Sequence, residues 1–192
     1  NRVGAGKPVT VRINSGGGEV IAASVIRSIL TDYPGKVTVR IDGLCASSAV
    51  MVAMAGDTVQ MMDSAYMMVH DPGYTLLMGW LTEDLLKGLV DQLKSIKSGM
   101  LDTYSTRTGL TVERLNRMLT NETWMSAGEA VKMGFADEVI TGGKTADKNA
   151  SVTNALKNFL NVPPALVNNL TRQVEQIDRE AKRLREEVQI LA

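Results

Sequence analysis

The first pattern along the chain is a two-residue alternation. Val9, Val11 and Ile13 are apolar while Thr10, Arg12 and Asn14 are polar, the period of a strand with one covered face. Ser15-Gly16-Gly17-Gly18 interrupts it. Ile21, Ala22, Val25, Ile26, Ile29 and Leu30 then recur at helical spacing, up to the breaker Asp32-Tyr33-Pro34-Gly35. Residues 36–41 alternate again, and Gly43 is expected to close this second strand. A small-residue apolar run over 46–55 predicts a buried helix, and 57–62 and 65–69 predict two short strands.

A long amphipathic helix is expected over 81–107, with Leu85, Leu86, Leu89, Val90, Leu93, Ile96, Met100 and Leu101 on one stripe. Thr108-Gly109 ends it, and Thr111-Val112-Glu113 starts a shorter helix running through Leu119. Ser126 and Glu129 have the spacing of a capping box, which opens a helix that stops at Gly134. A last strand is expected over 136–140. Strands alternating with helices predict an α/β domain with right-handed crossovers and a largely parallel sheet.

The composition changes after residue 140. Residues 141–153 are polar and contain glycine, which marks a linker. A short helix over 154–160 precedes Val162-Pro163-Pro164. Leu170, Val174, Ile177, Ala181, Leu184, Val188 and Leu191 then follow at alternating spacings of four and three. That seam fits a short coiled coil or helix pair, or else one amphipathic helix packed on its own domain. The organisation read from the pattern is a body over 1–140, a linker with a short helix over 141–164, and a contact-making helix over 165–192.

Composition narrows the chemistry. The chain has 192 residues, with 21 Lys and Arg against 21 Asp and Glu, so no bulk attraction to nucleic acid or to an anionic membrane is expected. Aromatics are only 4% and Met numbers 11, so the core is expected to be aliphatic and thioether-rich. One Cys excludes an internal disulfide and Cys-rich zinc modules, and one His excludes a multi-His metal site within the chain. No apolar run reaches the roughly 18–20 residues that span a bilayer. No secretion-signal pattern opens the chain, and its start at Asn1 suggests that upstream residues are absent. Gly6-Lys7 lacks the spacing of a phosphate loop and reads as a turn before a strand.

Three short stretches carry candidate chemistry. The glycines after Asn14-Ser15 either make an ordinary tight turn or present bare N–H groups to an oxyanion. Ser47 and Ser48 stand in Gly43-Leu44-Cys45-Ala46-Ser47-Ser48-Ala49, where a strand meets an apolar helix. A Ser there is either a helix cap or a nucleophile beside an N–H donor. His70, in Val69-His70-Asp71-Pro72, is either a satisfied structural residue or the base that a nucleophile needs.

Taken together, these stretches resemble the ClpP family, the proteolytic subunits of the Clp proteases. Ile13-Asn14-Ser15-Gly16-Gly17-Gly18 is similar to the family's I-N-S-P-G-G motif, with Gly16 in place of Pro. Residues 43–49 resemble its G-x-A-A-S-x-G/A motif, and 69–72 its I-H-x-P motif, 23 residues after Ser47. Tyr104, Thr108-Gly109 and 124–137 match the later pattern, and Glu122-Thr123-Trp124-Met125 resembles the ClpP-related head-maturation proteases of tailed phages and prophages.

The resemblance covers about residues 8–140. It implies a ClpP/crotonase-like fold of repeated β-β-α units, with 81–107 as a protruding handle helix and a helical tail after the body. It implies a serine endopeptidase with Ser47 as nucleophile, His70 as base, and Gly18 and Ser48 as oxyanion donors beside Gly17. Glu122 falls where the family has an Asp, with Asp137 and Asp71 as fallback acids. Residues 73–80 would be the strand beside which an extended peptide adds. No cofactor is implied. The implied partners are protein or peptide substrates, further copies in a ring or double ring, and a separate ATPase or a capsid or scaffold protein. The implied location is the cytoplasm of a bacterium or phage-infected host, with the procapsid as the maturation variant. A catalytically silent relative that keeps the fold is the alternative.

Overall fold

The computed structural model describes residues 6–74, 80–141, 156 and 159–168. Its elements in order are β1 (Val9–Ser15), α1 (Val20–Thr31), β2 (Val37–Ala46), α2 (Ser48–Ala53), β3 (Thr58–Met62), β4 (Tyr66–Val69), α3 (Glu83–Thr108), α4 (Val112–Thr120), β5 (Thr123–Ser126), α5 (Ala127–Lys132) and β6 (Glu138–Ile140). The strands form one six-stranded sheet. It is parallel except for β5, which runs antiparallel to β4.

β2 organises this sheet and departs from expectation. It does not end at Gly43 but continues through it to Ala46. Its first half pairs with β1 (Val37 opposite Val9, through Ile41 opposite Ile13) and with β3. Its second half pairs with β4, Leu44 opposite Tyr66 and Ala46 opposite Met68. The change of neighbour is made over Asn14, where the β1 register slips. Asn14 Oδ1 accepts the Leu44 N–H at 3.0 Å, and a Cβ on Gly43 would stand 2.9 Å from that oxygen. Glycine is therefore here for close approach, not to break the strand. Next to it the buried Asp42 carboxylate accepts from Arg12 Nε at 2.7 Å and Arg40 Nε at 3.0 Å, tying β1 to β2.

The helices obey their local signals. Glu19 caps α1 by accepting from the Ile21 and Ala22 N–H groups. Thr82 caps α3 through the Leu85 N–H, with Glu83 and Asp84 in the first turn, where the helix dipole favours negative charge. The Glu129 carboxylate accepts the Ser126 N–H at 2.9 Å, closing the expected capping box of α5.

Burial is uneven along α3. Met100, Leu101 and Tyr104 enter the core, whereas Leu85, Leu86 and Val90 are exposed, so the first turns of α3 project from the body. The core itself is Val39, Ile41, Val50, Val59, Met61, Met67, Leu115, Met125 and Phe135 with their neighbours, thioether-rich as the composition predicts. A second cluster joins Leu44, Ala46 and Met68 to Leu156 and Leu166, so residues after the body lie against the sheet.

β5 is the one strand not expected from the sequence. Residues 123–126 are too short for alternation to register, and the helix-start signal of Ser126 overlaps them. The expected strand over 73–80, the helix over 154–160 and the heptad seam after 168 fall wholly or mostly outside the described residues.

Candidate active site

The β2–β4 pairing brings two of the three candidate stretches together. Ala46 opposite Met68 is the last pair of that ladder. One residue beyond it lies Ser47 and two residues beyond lies His70. The Ser47 N–H donates to Met68 O at 2.9 Å, which holds the junction on β4. Ser47 Oγ then lies 2.7 Å from His70 Nε2.

Ser47 stands at the N-cap of α2 but makes no side-chain cap bond. Its backbone has φ 57° and ψ −131°, a region that non-glycine residues occupy only under constraint. The side chain does not cap the helix; the sharp strand-to-helix turn aims its hydroxyl at the His70 imidazole. Cys45, two residues earlier, is fully buried, and burial pushes its thiol up, away from reactivity.

The third stretch closes the other side. Gly17 has φ +92°, and a Cβ there would lie 2.6 Å from Ala46 O and 2.6 Å from Ser47 Cβ, with Ser48 N at 3.0 Å. Only a bare backbone fits against the nucleophile turn. The Gly17 N–H is already committed to Ser15 Oγ at 3.1 Å, while nothing lies within 4 Å of where a Gly18 Cβ would be. Asn14, Gly17, Gly18, Ala22, Ser48 and Val52 are among the residues lining an open groove of about 410 Å³ beside the nucleophile.

His70 is half-buried. Burial lowers its pKa from the ordinary imidazole value, and the negative charges of Glu122 and Asp71 work against that shift. Asp71 is committed elsewhere: its carboxylate pairs with Lys97 Nζ at 2.7 Å and accepts from Thr120 Oγ1 at 3.1 Å. Asp137 accepts from the Val59 N–H and pairs with Arg107, which ties it to β3 and α3.

Glu122 lies in the turn before β5, with φ 48°. Among the described residues no hydrogen bond joins it to His70; its influence on the imidazole is through charge. Its own carboxylate accepts from Trp124 Nε1 at 3.2 Å, the Leu160 N–H at 3.0 Å and the Asn161 N–H at 2.6 Å. Burial works to raise the Glu122 pKa, but those donors and the charge of His70 together hold it below the usual carboxylate value. The Phe159 ring meets both His70 and Trp124 edge-on, at 5.5 and 5.9 Å between centroids. Sequence reading did not single out Phe159, Leu160 or Asn161. The available signal was an apolar pair, Phe159-Leu160, between a polar linker and two prolines.

The Clp protease family model matches residues 2–143. The chain is 32% identical over 137 residues to the ATP-dependent Clp protease proteolytic subunit 2 of Thermobifida fusca (strain YX). It is 27% identical over 137 residues to the proteolytic subunit 1 of Protochlamydia amoebophila (strain UWE25). Each match covers 70% of this chain and 66% of the relative, just under two thirds of its length. A mutant of ClpP1 from Listeria monocytogenes superposes with a TM-score of 0.63 at 21% identity, covering 71% of this chain and 75% of that one. That structural likeness shows the ClpP fold. With three quarters of the chain inside the family match, the chain belongs to the Clp protease family.

Proposed function

We propose that the chain is a serine endopeptidase that cleaves peptide bonds of protein substrates. The observation that carries this reading is the 2.7 Å contact of Ser47 Oγ with His70 Nε2 at a constrained strand–helix turn. Ser47 Oγ attacks the carbonyl carbon while His70 takes its proton, then returns that proton to the leaving amine. The negative oxygen of the tetrahedral intermediate is received by the backbone N–H groups of Gly18 and Ser48, with Gly17 letting the two segments meet. Each such donor is worth about 3 kcal/mol of transition-state stabilisation. Glu122 is the acid whose charge stabilises the imidazolium. Water then repeats the sequence on the acyl-enzyme.

The family context supports assembly into rings through further copies, with a separate ATPase supplying unfolded substrate. Maturation of capsid or scaffold proteins is the narrower reading, resting on the E-T-W-M segment and the heptad-patterned tail. Labelling with a fluorophosphonate probe tests the central claim. Wild type should label at one site, Ser47→Ala not at all, and His70→Ala at a rate lower by about 10⁴-fold or more. Equal labelling of wild type and Ser47→Ala would sink the protease reading and leave a silent relative.

A further inference from the structure

We propose that residues 159–161, which follow the linker, position the acid and the base of the site: the Leu160 and Asn161 backbone N–H groups clamp Glu122, and the Phe159 ring braces His70. The inference rests on the reading of Glu122 as the acid. A Glu reaches further than the family's Asp by one methylene and has one more torsion, so its charge is harder to fix in place. In this chain two consecutive backbone donors hold it, Leu160 N–H on Oε2 and Asn161 N–H on Oε1, with the Trp124 indole as a third. Consecutive N–H groups turned on one carboxylate make a small anion-binding concavity.

The clamp is itself anchored. Leu156 and Leu166, on either side of it in sequence, are buried against Leu44, Ala46 and Met68. Ala46 and Met68 are the last pair of the β2–β4 ladder before Ser47 and His70, so the clamp and the dyad share one support. Phe159 lies between Trp124 and the imidazole and limits ring rotation. The body thus contributes the acid's side chain and one of its donors, and the segment beyond the linker contributes the two backbone donors.

The test uses the full chain and a fluorogenic peptide, with kcat and KM followed across pH. Asn161→Pro removes one clamp donor without touching a side chain of the dyad. It should lower kcat by about 10- to 100-fold with KM little changed, the cost of misplacing a catalytic group. His70 is faced by Glu122 and by Asp71, and Asp71 is held by Lys97, so a loosened Glu122 should move the acidic limb of the profile to lower pH. Glu122→Gln should give an equal or larger loss, and adding Asn161→Pro to it no further loss. Should Asn161→Pro misfold, Phe159→Ala should lower kcat and Phe159→Tyr should restore it. Unchanged or increased activity in Asn161→Pro would overturn the clamp, and so would losses that multiply in the double variant. Full activity in Glu122→Gln, with loss in Asn161→Pro, would instead overturn Glu122 as the acid.

Discussion

Ser47 holds a backbone conformation that an L-residue adopts at a cost of about 1–3 kcal/mol. The hydrogen bond to Met68 O and the β2–β4 ladder hold it there. Ser47→Gly should accordingly abolish peptidase activity while raising stability by about 1 kcal/mol, measured by thermal or denaturant unfolding. In the proposed mechanism the base is the neutral His70 imidazole, so activity should fall as pH drops through its pKa. Burial lowers that pKa, so kcat/KM should persist to more acidic pH than an ordinary imidazole near 6.5 would allow. Asp71→Asn removes one opposing charge and should extend activity further into acid, which a pH–rate profile reads directly. Ser47 and His70 were legible because each lies within one short motif. The placement of Glu122 was not, since two of its donors lie 38 and 39 residues further along the chain.

Among the elements, α3 enters the core at Met100, Leu101 and Tyr104. The Tyr104 ring meets Phe135 edge-on, but its buried hydroxyl has no partner among the described residues. An unmatched buried hydroxyl is a net liability, so Tyr104→Phe should stabilise the protein by about 1 kcal/mol without altering activity, seen as a raised melting temperature. Periodicity predicted α3 and α4 to within about two residues because long stripes average over local noise. It failed at β2, where Gly43 reads as a stop and serves as a contact with Asn14, 29 residues away in sequence. It failed at β5 because four residues hold too little pattern. Both failures are tertiary: what a glycine or a four-residue stretch does depends on which strand lies beside it.

At the scale of the whole molecule, apolar side chains of α1 and α3 are exposed among the described residues. Ile21, Val25 and Ile29 are exposed on α1, and Leu85, Leu86 and Val90 on the projecting part of α3. A self-associating enzyme would cover such surface with further copies. If α3 joins copies as the family context supports, Leu85→Glu with Val90→Glu should lower the mass of the native assembly, measured by light scattering. The Ser47–His70 contact lies within one chain, so probe labelling of the dissociated protein reports how far assembly sets activity.

The switch of neighbours along β2 divides the sheet into two differently paired regions. Before Gly43 the strand is flanked on both sides by five- and four-residue ladders, whereas beyond it the main ladder is three pairs to β4, itself edged by β5. Ser47 and His70 both hang on the shorter ladder. Amide protons of Leu44, Cys45 and Met67 should therefore exchange with deuterium sooner than those of Val39 and Val59, through a local opening that leaves the rest folded. On heating, turnover should fade before helical signal is lost, because the half of the sheet that carries Ser47 and His70 is held by the shorter ladder.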